Sequence, residues 1–343
     1  MPKLMFLTVL AFLLLRAHAG TASPVILAYY TFDDSSYDSI NQFGASINQI
    51  STDTFTVSPD GAVSGHPPTR AITLAKSKGA QTYACISNYG LKDFDPKIAH
   101  DLISNPSAVS TITSNLIELL SSNMYDGVNI DFESMDKEDR QKFTKFVRTV
   151  SENMRAAGYT TVVSVPAELR DNPKDSWTGA FDLAKLGKYA DLIQLMTYDE
   201  AGPWCAPGPV AGFTWVRSAA RYAVSVVPAS KVSLGMAAYG YDWDVTHKTG
   251  TTVSWHEMPS LISSSHGVPR RDLKSGSPHF KYTAADGSKH TVWYEDPKSI
   301  HQKARLAANM KMAGVSVWAL GKEDASFWKA VKAGLNPHSE HVK

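Results

Sequence analysis

Residues 125–133 read Y-D-G-V-N-I-D-F-E, and the fold turns on this stretch. Side chains alternate across a strand. Val128, Ile130 and Phe132 therefore share one face, and Gly127, Asn129, Asp131 and Glu133 share the other. An antiparallel strand with one wet face could keep both acids in water. A strand covered by helices could not do so cheaply, because buried charge is costly unless paired or neutralised. The flanks point to the covered case. Upstream, Asn105-Pro106 opens a helical repeat with apolar residues at Val109, Ile112, Leu116, Leu119 and Leu120, and proline suits a first helical position. Downstream, Asp136 is placed to cap a repeat that sets Phe143, Phe146, Val147, Val150 and Met154 on one face and ends at Gly158. Helix, strand, helix is the order of a parallel α/β fold. Acids at the carboxyl end of such a strand face the end where α/β barrels carry out chemistry.

Outward from this strand, the chain gives eight strand-like runs, at 25–31, part of 46–57, 80–88, 127–133, 160–166, 191–198, 231–239 and 314–320. Helical patterns fall between most of them, at 68–78, 107–121, 137–157, 215–227 and 299–312. Eight strands alternating with helices in about 300 residues predict an α/β fold of the (β/α)8 TIM-barrel type. A doubly wound open sheet is the competing arrangement, but no G-x-G-x-x-G follows an early strand. One segment breaks the alternation. From Tyr241 to Pro297 there is no long helical pattern, and two β-type runs flank Asp286-Gly287, a hairpin signal. A small β-rich insertion, about 242–298, is predicted between strands 7 and 8, where it could wall one side of a cleft.

The amino terminus stands apart. Lys3, an apolar run over 4–15 and Ala17-His18-Ala19 have the order of a secretory signal peptide, assigned to 1–19. Its apolar part is short for a bilayer span. An uncleaved anchor or a buried first helix is the alternative, and Arg16 is a blemish in the cleavage region. The barrel domain is assigned to 20–337 and a tail to 338–343. The mature protein is expected to be secreted, extracellular or periplasmic, with no membrane association. With 34 Lys and Arg against 33 Asp and Glu, the net charge is +1. That argues against nucleic acid or anionic lipid as a partner and for a neutral substrate. The two cysteines, Cys85 in an apolar strand and Cys205 in a Pro/Gly loop, exclude a disulfide scaffold. Two free thiols are expected, with a single bridge as the alternative. A monomer without cofactor is expected.

D-G-V-N-I-D-F-E at 126–133 resembles the D-G-x-D-x-D-x-E signature of glycoside hydrolase family 18, the chitinase family. Asp126, Gly127, Asp131 and Glu133 fall in place, while Asn129 stands where chitinases usually carry the middle aspartate. L-M-T-Y-D at 195–199 resembles the family's M-x-Y-D on the sixth strand, and G-V-S-V-W at 314–318 resembles the eighth strand that ends in a tryptophan at the sugar floor. With W-Y-E-D at 293–296, the chain looks closest to spore-cortex-lytic N-acetylglucosaminidases and chitobiase-like members. The resemblance implies a retaining glycosidase cutting β-1,4 bonds of N-acetylglucosamine-containing polysaccharide, whether chitin, chito-oligosaccharides or peptidoglycan. It implies that the substrate's own 2-acetamido oxygen is the nucleophile. Glu133 would then be the acid and later the base for water. Asp131 would take the acetamide N–H, and Tyr198 would donate to the acetamide oxygen. Met196 and Asp199 would line that pocket, and Trp318 would stack under the sugar.

Read from the residues alone, Glu133 lies nearest the mouth, and Asp131 behind it disfavours its ionisation. A general acid needs that. The same two residues could be solvated acids at a strand end, and their companions decide. Asn129 is either a sugar contact or a hydrogen-bonding core residue. Trp204, Tyr29, Tyr239 and Tyr241 are each either sugar platforms or packing. Asn129, Asp131 and Glu133 make a poor metal set, with no His and a neutral amide among them. His256-Glu257 begins like a zinc helix, but Ser260 occupies the place of the second His. A non-catalytic lectin on the same barrel is the rival function, and it would be expected to lack the acid that Glu133 provides.

Overall fold

The computed structural model describes residues 23–336. The assigned signal peptide and tail lie outside the described residues. The chain runs β1 (Val25–Tyr30), α1 (Asp34–Phe43), β2 (Gln49–Val57), β3 (Val63–Gly65), α2 (Thr69–Ser77), β4 (Gln81–Ser87), α3 (Pro96–Ser104), α4 (Pro106–Ser122), β5 (Gly127–Asp131), α5 (Arg140–Ala156), β6 (Thr160–Pro166), α6 (Leu183–Tyr189), β7 (Leu192–Met196), α7 (Phe213–Val226) and β8 (Val232–Ala237). The insertion follows, with β9 (Tyr239–Asp244), β10 (Thr249–Ser254), α8 (Met258–Ser264), β11 (Arg270–Arg271), β12 (Pro278–Thr283) and β13 (Lys289–Trp293). The chain closes with α9 (Pro297–Asn309), β14 (Gly314–Trp318) and α10 (Ala325–Leu335).

Eight parallel strands, β1, β2, β4, β5, β6, β7, β8 and β14, pair in a ring, and β1 closes it by pairing with both β14 and β2. This is the predicted (β/α)8 barrel. Its outward rows are apolar and meet the helices. Val128, Ile130 and Phe132 join that core, and Phe132 stacks on Phe146 of α5 with centroids 5.4 Å apart. Its inward rows are smaller and more polar. Leu27, Tyr29, Tyr83, Cys85, Val162 and Leu192 form an apolar plug, beside buried Ser51, Asn129, Ser164, Gln194 and Ser316.

Capping explains most helix starts. Asn105 ends α3 and caps α4, accepting from the amides of Ser107 and Ala108, with Pro106 at the first position. Gly158 takes φ +86 just past α5. Asp136 does not cap as expected. Its side chain makes no capping bond, because a 3-10 turn at Lys137–Asp139 intervenes before α5.

The insertion is a five-stranded antiparallel sheet in the order β10-β9-β13-β12-β11. The Asp286-Gly287 turn joins β12 to β13 as predicted. Its start differs from the expected boundary near 242. The run at 231–239 is not one strand, since β8 stops at Ala237 and β9 begins at Tyr239, which already pairs with Ser254. Cys85 is buried inside the barrel and Cys205 sits on an exposed loop, both as free thiols.

Candidate active site

Glu133 stands just beyond the carboxyl end of β5. Its backbone is gripped by Asn88, at the end of β4, whose Oδ1 accepts from the Glu133 amide at 2.9 Å and whose Nδ2 donates to the Glu133 carbonyl at 2.9 Å. Ser134 follows with φ +53, a left-handed residue that turns the chain away at once and leaves Glu133 at the mouth. Asp131, the last residue of β5, is buried beside Ser164 of β6. Asp126, the first acid of the signature, is at the opposite end of β5, where it pairs with Lys76 and accepts from the Thr82 amide at 2.6 Å.

Tyr198 lies two residues past β7. It accepts from Gln194 Nε2 at 3.4 Å, which leaves its own O–H to donate elsewhere. Gly235 of β8 makes room for its ring, since a Cβ there would stand 2.9 Å from Tyr198 Cε1 and 2.3 Å from the Leu195 carbonyl. Asp199, at φ +60, turns back toward the insertion. Tyr239 and Tyr241 both donate to its Oδ1, at 2.6 and 2.8 Å. Trp318 ends β14 half-buried, its ring 5.4 Å from that of Tyr29. Met196 ends β7, also half-buried.

Burial dominates the electrostatics. It pushes the Glu133 carboxyl well above the usual range, and the charges of Asp131, Asp199, Asp53 and Asp93 push the same way. Asp131 is raised too, first by burial and then by Asp53, with Ser164 opposing. Burial likewise raises Asp199, while the two tyrosine bonds oppose it. Tyr198 is held neutral by burial and by the charges of Asp131 and Glu133. The pocket therefore holds a carboxyl that burial biases toward its protonated form, a second acid behind it, and a phenol with a spare donor.

The structure brings Asp131, Glu133, Tyr198, Asp199, Tyr239 and Trp318 together. Asn129 and Tyr29 are buried beneath them and bond each other, Tyr29 Oη donating to Asn129 Oδ1 at 3.1 Å. Trp204 is 69% exposed, with its ring 6.1 Å from Tyr241, so it stands at the rim. Asn88 and Asp53 were not singled out in the sequence. Asn88 has no local signal. Asp53 carries a weak one, as an acid on the inward row of β2.

Away from the pocket, His100, Asp136 and Asp139 lie close enough to hold an ion. The Asp139 carboxylate already meets His100 at 2.8 Å and Lys142 at 3.2 Å, which balances its charge. His256 and Glu257 serve a capping turn, where Glu257 accepts from the Ser254 amide at 2.9 Å.

The sequence matches glycosyl hydrolases family 18 over residues 25–323. An uncharacterized glycosylase of Bacillus subtilis, YvbX, is 42% identical over 316 residues, covering 91% of this chain and 92% of that protein. A cortical fragment-lytic enzyme of the same organism is 24% identical over 289 residues, covering 82% of this chain and 66% of that protein. Among solved structures, a chitinase from Chromobacterium violaceum superposes with a TM-score of 0.86 at 36% identity, covering 91% of this chain and 99% of that one.

Proposed function

The chain belongs to the glycosyl hydrolases family 18, and on that footing we propose that this glycosidase is a secreted, retaining enzyme that cuts β-1,4 bonds of N-acetylglucosamine-containing glycans by substrate-assisted catalysis. The observation that carries the reading is the meeting of Glu133, Asp131 and Tyr198 in one buried, acid-rich pocket. Glu133 holds a proton that a general acid can give to the leaving oxygen. As the glycosidic bond opens, the 2-acetamido oxygen attacks the anomeric carbon. Tyr198 O–H donates to that oxygen and holds it in line. Asp131 accepts the acetamide N–H and offsets the positive charge of the cyclised ring. Glu133, now ionised, takes a proton from water, which opens the ring from the face the leaving group vacated. Two inversions give net retention. Trp318 supplies an apolar face for the pyranose. Secretion is supported by the Lys3 to Ala19 pattern.

Turnover of a chromogenic chito-oligosaccharide, run beside purified peptidoglycan and a glucose polymer, tests the reading. Release of chromophore with retained anomeric configuration, and inhibition by a thiazoline mimic of the cyclised intermediate, are expected. Binding without turnover would make the protein a lectin. Rapid cleavage of the glucose polymer would rule out the acetamido nucleophile.

A further inference from the structure

Three barrel strands bring one more acid to the floor of the site. β2 pairs with β4 as Asp53↔Cys85, and β4 pairs with β5 as Cys85↔Asn129 and Ser87↔Asp131. Asp53, Cys85 and Asn129 thus form one inward-facing row, about 10 Å across at two strand spacings, with Asp131 one step nearer the mouth. A bulge at Thr54 follows Asp53, a device that re-aims side chains near active sites.

The row is bonded along its length, and the bonds have a direction. Asn129 Nδ2 donates to Cys85 Sγ at 3.7 Å and to Ser164 Oγ at 3.0 Å. Ser164 also meets Tyr29 Oη at 3.1 Å, and because Tyr29 gives its hydrogen to Asn129 Oδ1, Ser164 is the donor there, while Cys85 lies beside Asp53 in register. The amide of Asn129 thus ties β4, β6 and Tyr29 of β1 together in the row between the two acids. An aspartate at 129 has no N–H to give, so it would reverse both bonds.

We propose that Asp53 is a positioning residue of the reaction, a further carboxylate beneath the site, coupled to Asp131 across the Asn129 row, and that its charge sets the pH range over which Glu133 keeps the proton it must donate. The inference rests on the glycosidase reading above. The titratable groups turned toward Asp53 are Cys85 on β4, Asp131 at the end of β5, Glu133 just beyond it, and, beyond Cys85, Tyr29 on β1 and Tyr125 before β5. Burial pushes Asp53 up to about 6, eased by Cys85 beside it, so its charge changes within the working range.

The test is a cycle of Asp53→Asn, Asn129→Asp and the double variant, with pH profiles of kcat and kcat/KM. Removing the Asp53 charge makes its neighbours easier to ionise. In D53N the alkaline limb should move down by roughly one pH unit, the effect of one charge at about 10 Å in a partly buried site. N129D should lower kcat about tenfold, the scale of one misdirected hydrogen bond, and move the alkaline limb up. The double variant, with its acid count restored, should recover part of the N129D loss. A D53N profile that superimposes on the wild type, or singles whose effects simply multiply in the double, would overturn the coupling. Should D53N not fold, Cys85→Ala cuts the same link and should move the limb in the same direction, while an unmoved limb would count against the proposal. If the wild type cleaves no such glycan, the functional reading fails. Carboxyl NMR of Asp131 in wild type and D53N then still decides, because an unchanged Asp131 titration would overturn the coupling without reference to activity.

Discussion

The proton on Glu133 is held by desolvation before it is held by neighbouring charge, so the residue's value lies in its ability to change charge. Glu133→Gln keeps the shape and cannot donate. Its kcat should fall by about 10²–10⁴-fold or more while oligosaccharide binding persists, as calorimetry beside initial rates would show. A variant keeping a tenth of the rate would remove Glu133 from the acid role. Glu168 shows the cost of the same physics away from the pocket. It is 3% exposed with neither carboxylate oxygen partnered, and burial pushes it up to about 8. The folded state therefore binds its proton more tightly than the unfolded chain does. The stability this lends is complete below the unfolded value near 4.5 and is lost as pH rises through about 8. Glu168→Gln should leave the Tm little changed at pH 4 and raise stability at pH 9, by up to about 4 kcal/mol. Equal effects at both pH values would show that the group does not titrate in this window. Of these residues, the sequence made Asp131 and Glu133 legible because two acids on a strand that helices must cover need a reason. Asn88 was not legible and Asp53 only weakly so, because they act through partners on other strands, which no local pattern records.

At the scale of elements the readable signal was the short β-branched and apolar run, because each barrel strand is buried on both faces, and each of the eight runs holds a barrel strand, the one at 231–239 ending it at Ala237. α1, α3, α6 and α10 escaped because each has only 7 to 11 residues, two or three turns with a thin apolar stripe. Their visible marks were the caps Asp33, Asp95, Asp182 and Asp324. Two elements carry predictions. Gly235→Ala puts a methyl against Tyr198 and the β7 backbone. It should cost about 1–3 kcal/mol in stability and lower kcat more than it raises KM, as thermal melts and initial rates would reveal. Unchanged kcat would mean that the Tyr198 ring position is not critical. Lys303 of α9 and Glu295, just after β13, form an ion pair with both side chains almost wholly buried. Lys303→Met leaves Glu295 charged and unpaired, and should cost about 3–5 kcal/mol in a denaturant melt.

Across the whole molecule, the exposed aromatic residues fall on one face. Among the described residues they are Phe32, Tyr89, Trp177 and Trp204, which follow β1, β4, β6 and β7 at their carboxyl ends. They stand on both sides of Glu133 around the rim, a layout suited to a chain of sugars longer than the pocket. Tyr89→Ala and Trp177→Ala should each raise KM for a chito-hexamer about two- to tenfold, the worth of one stacked ring, with less effect on the dimer. Equal effects on both lengths would show that these rings lie off the path of the chain. The junction between barrel and insertion adds a mechanical consequence. Ala238 alone joins β8 to β9. Its amide donates to the Trp318 carbonyl at 2.9 Å, and its carbonyl accepts from the Trp255 amide at 2.9 Å. A domain that swings needs a few residues free to change dihedral angle, and this one is fastened on both sides. The wall is thus a fixed jaw rather than a lid. On the glycosidase reading proposed above, a wall that does not swing would leave entry of the glycan to threading or lateral capture, with no opening and closing to time turnover.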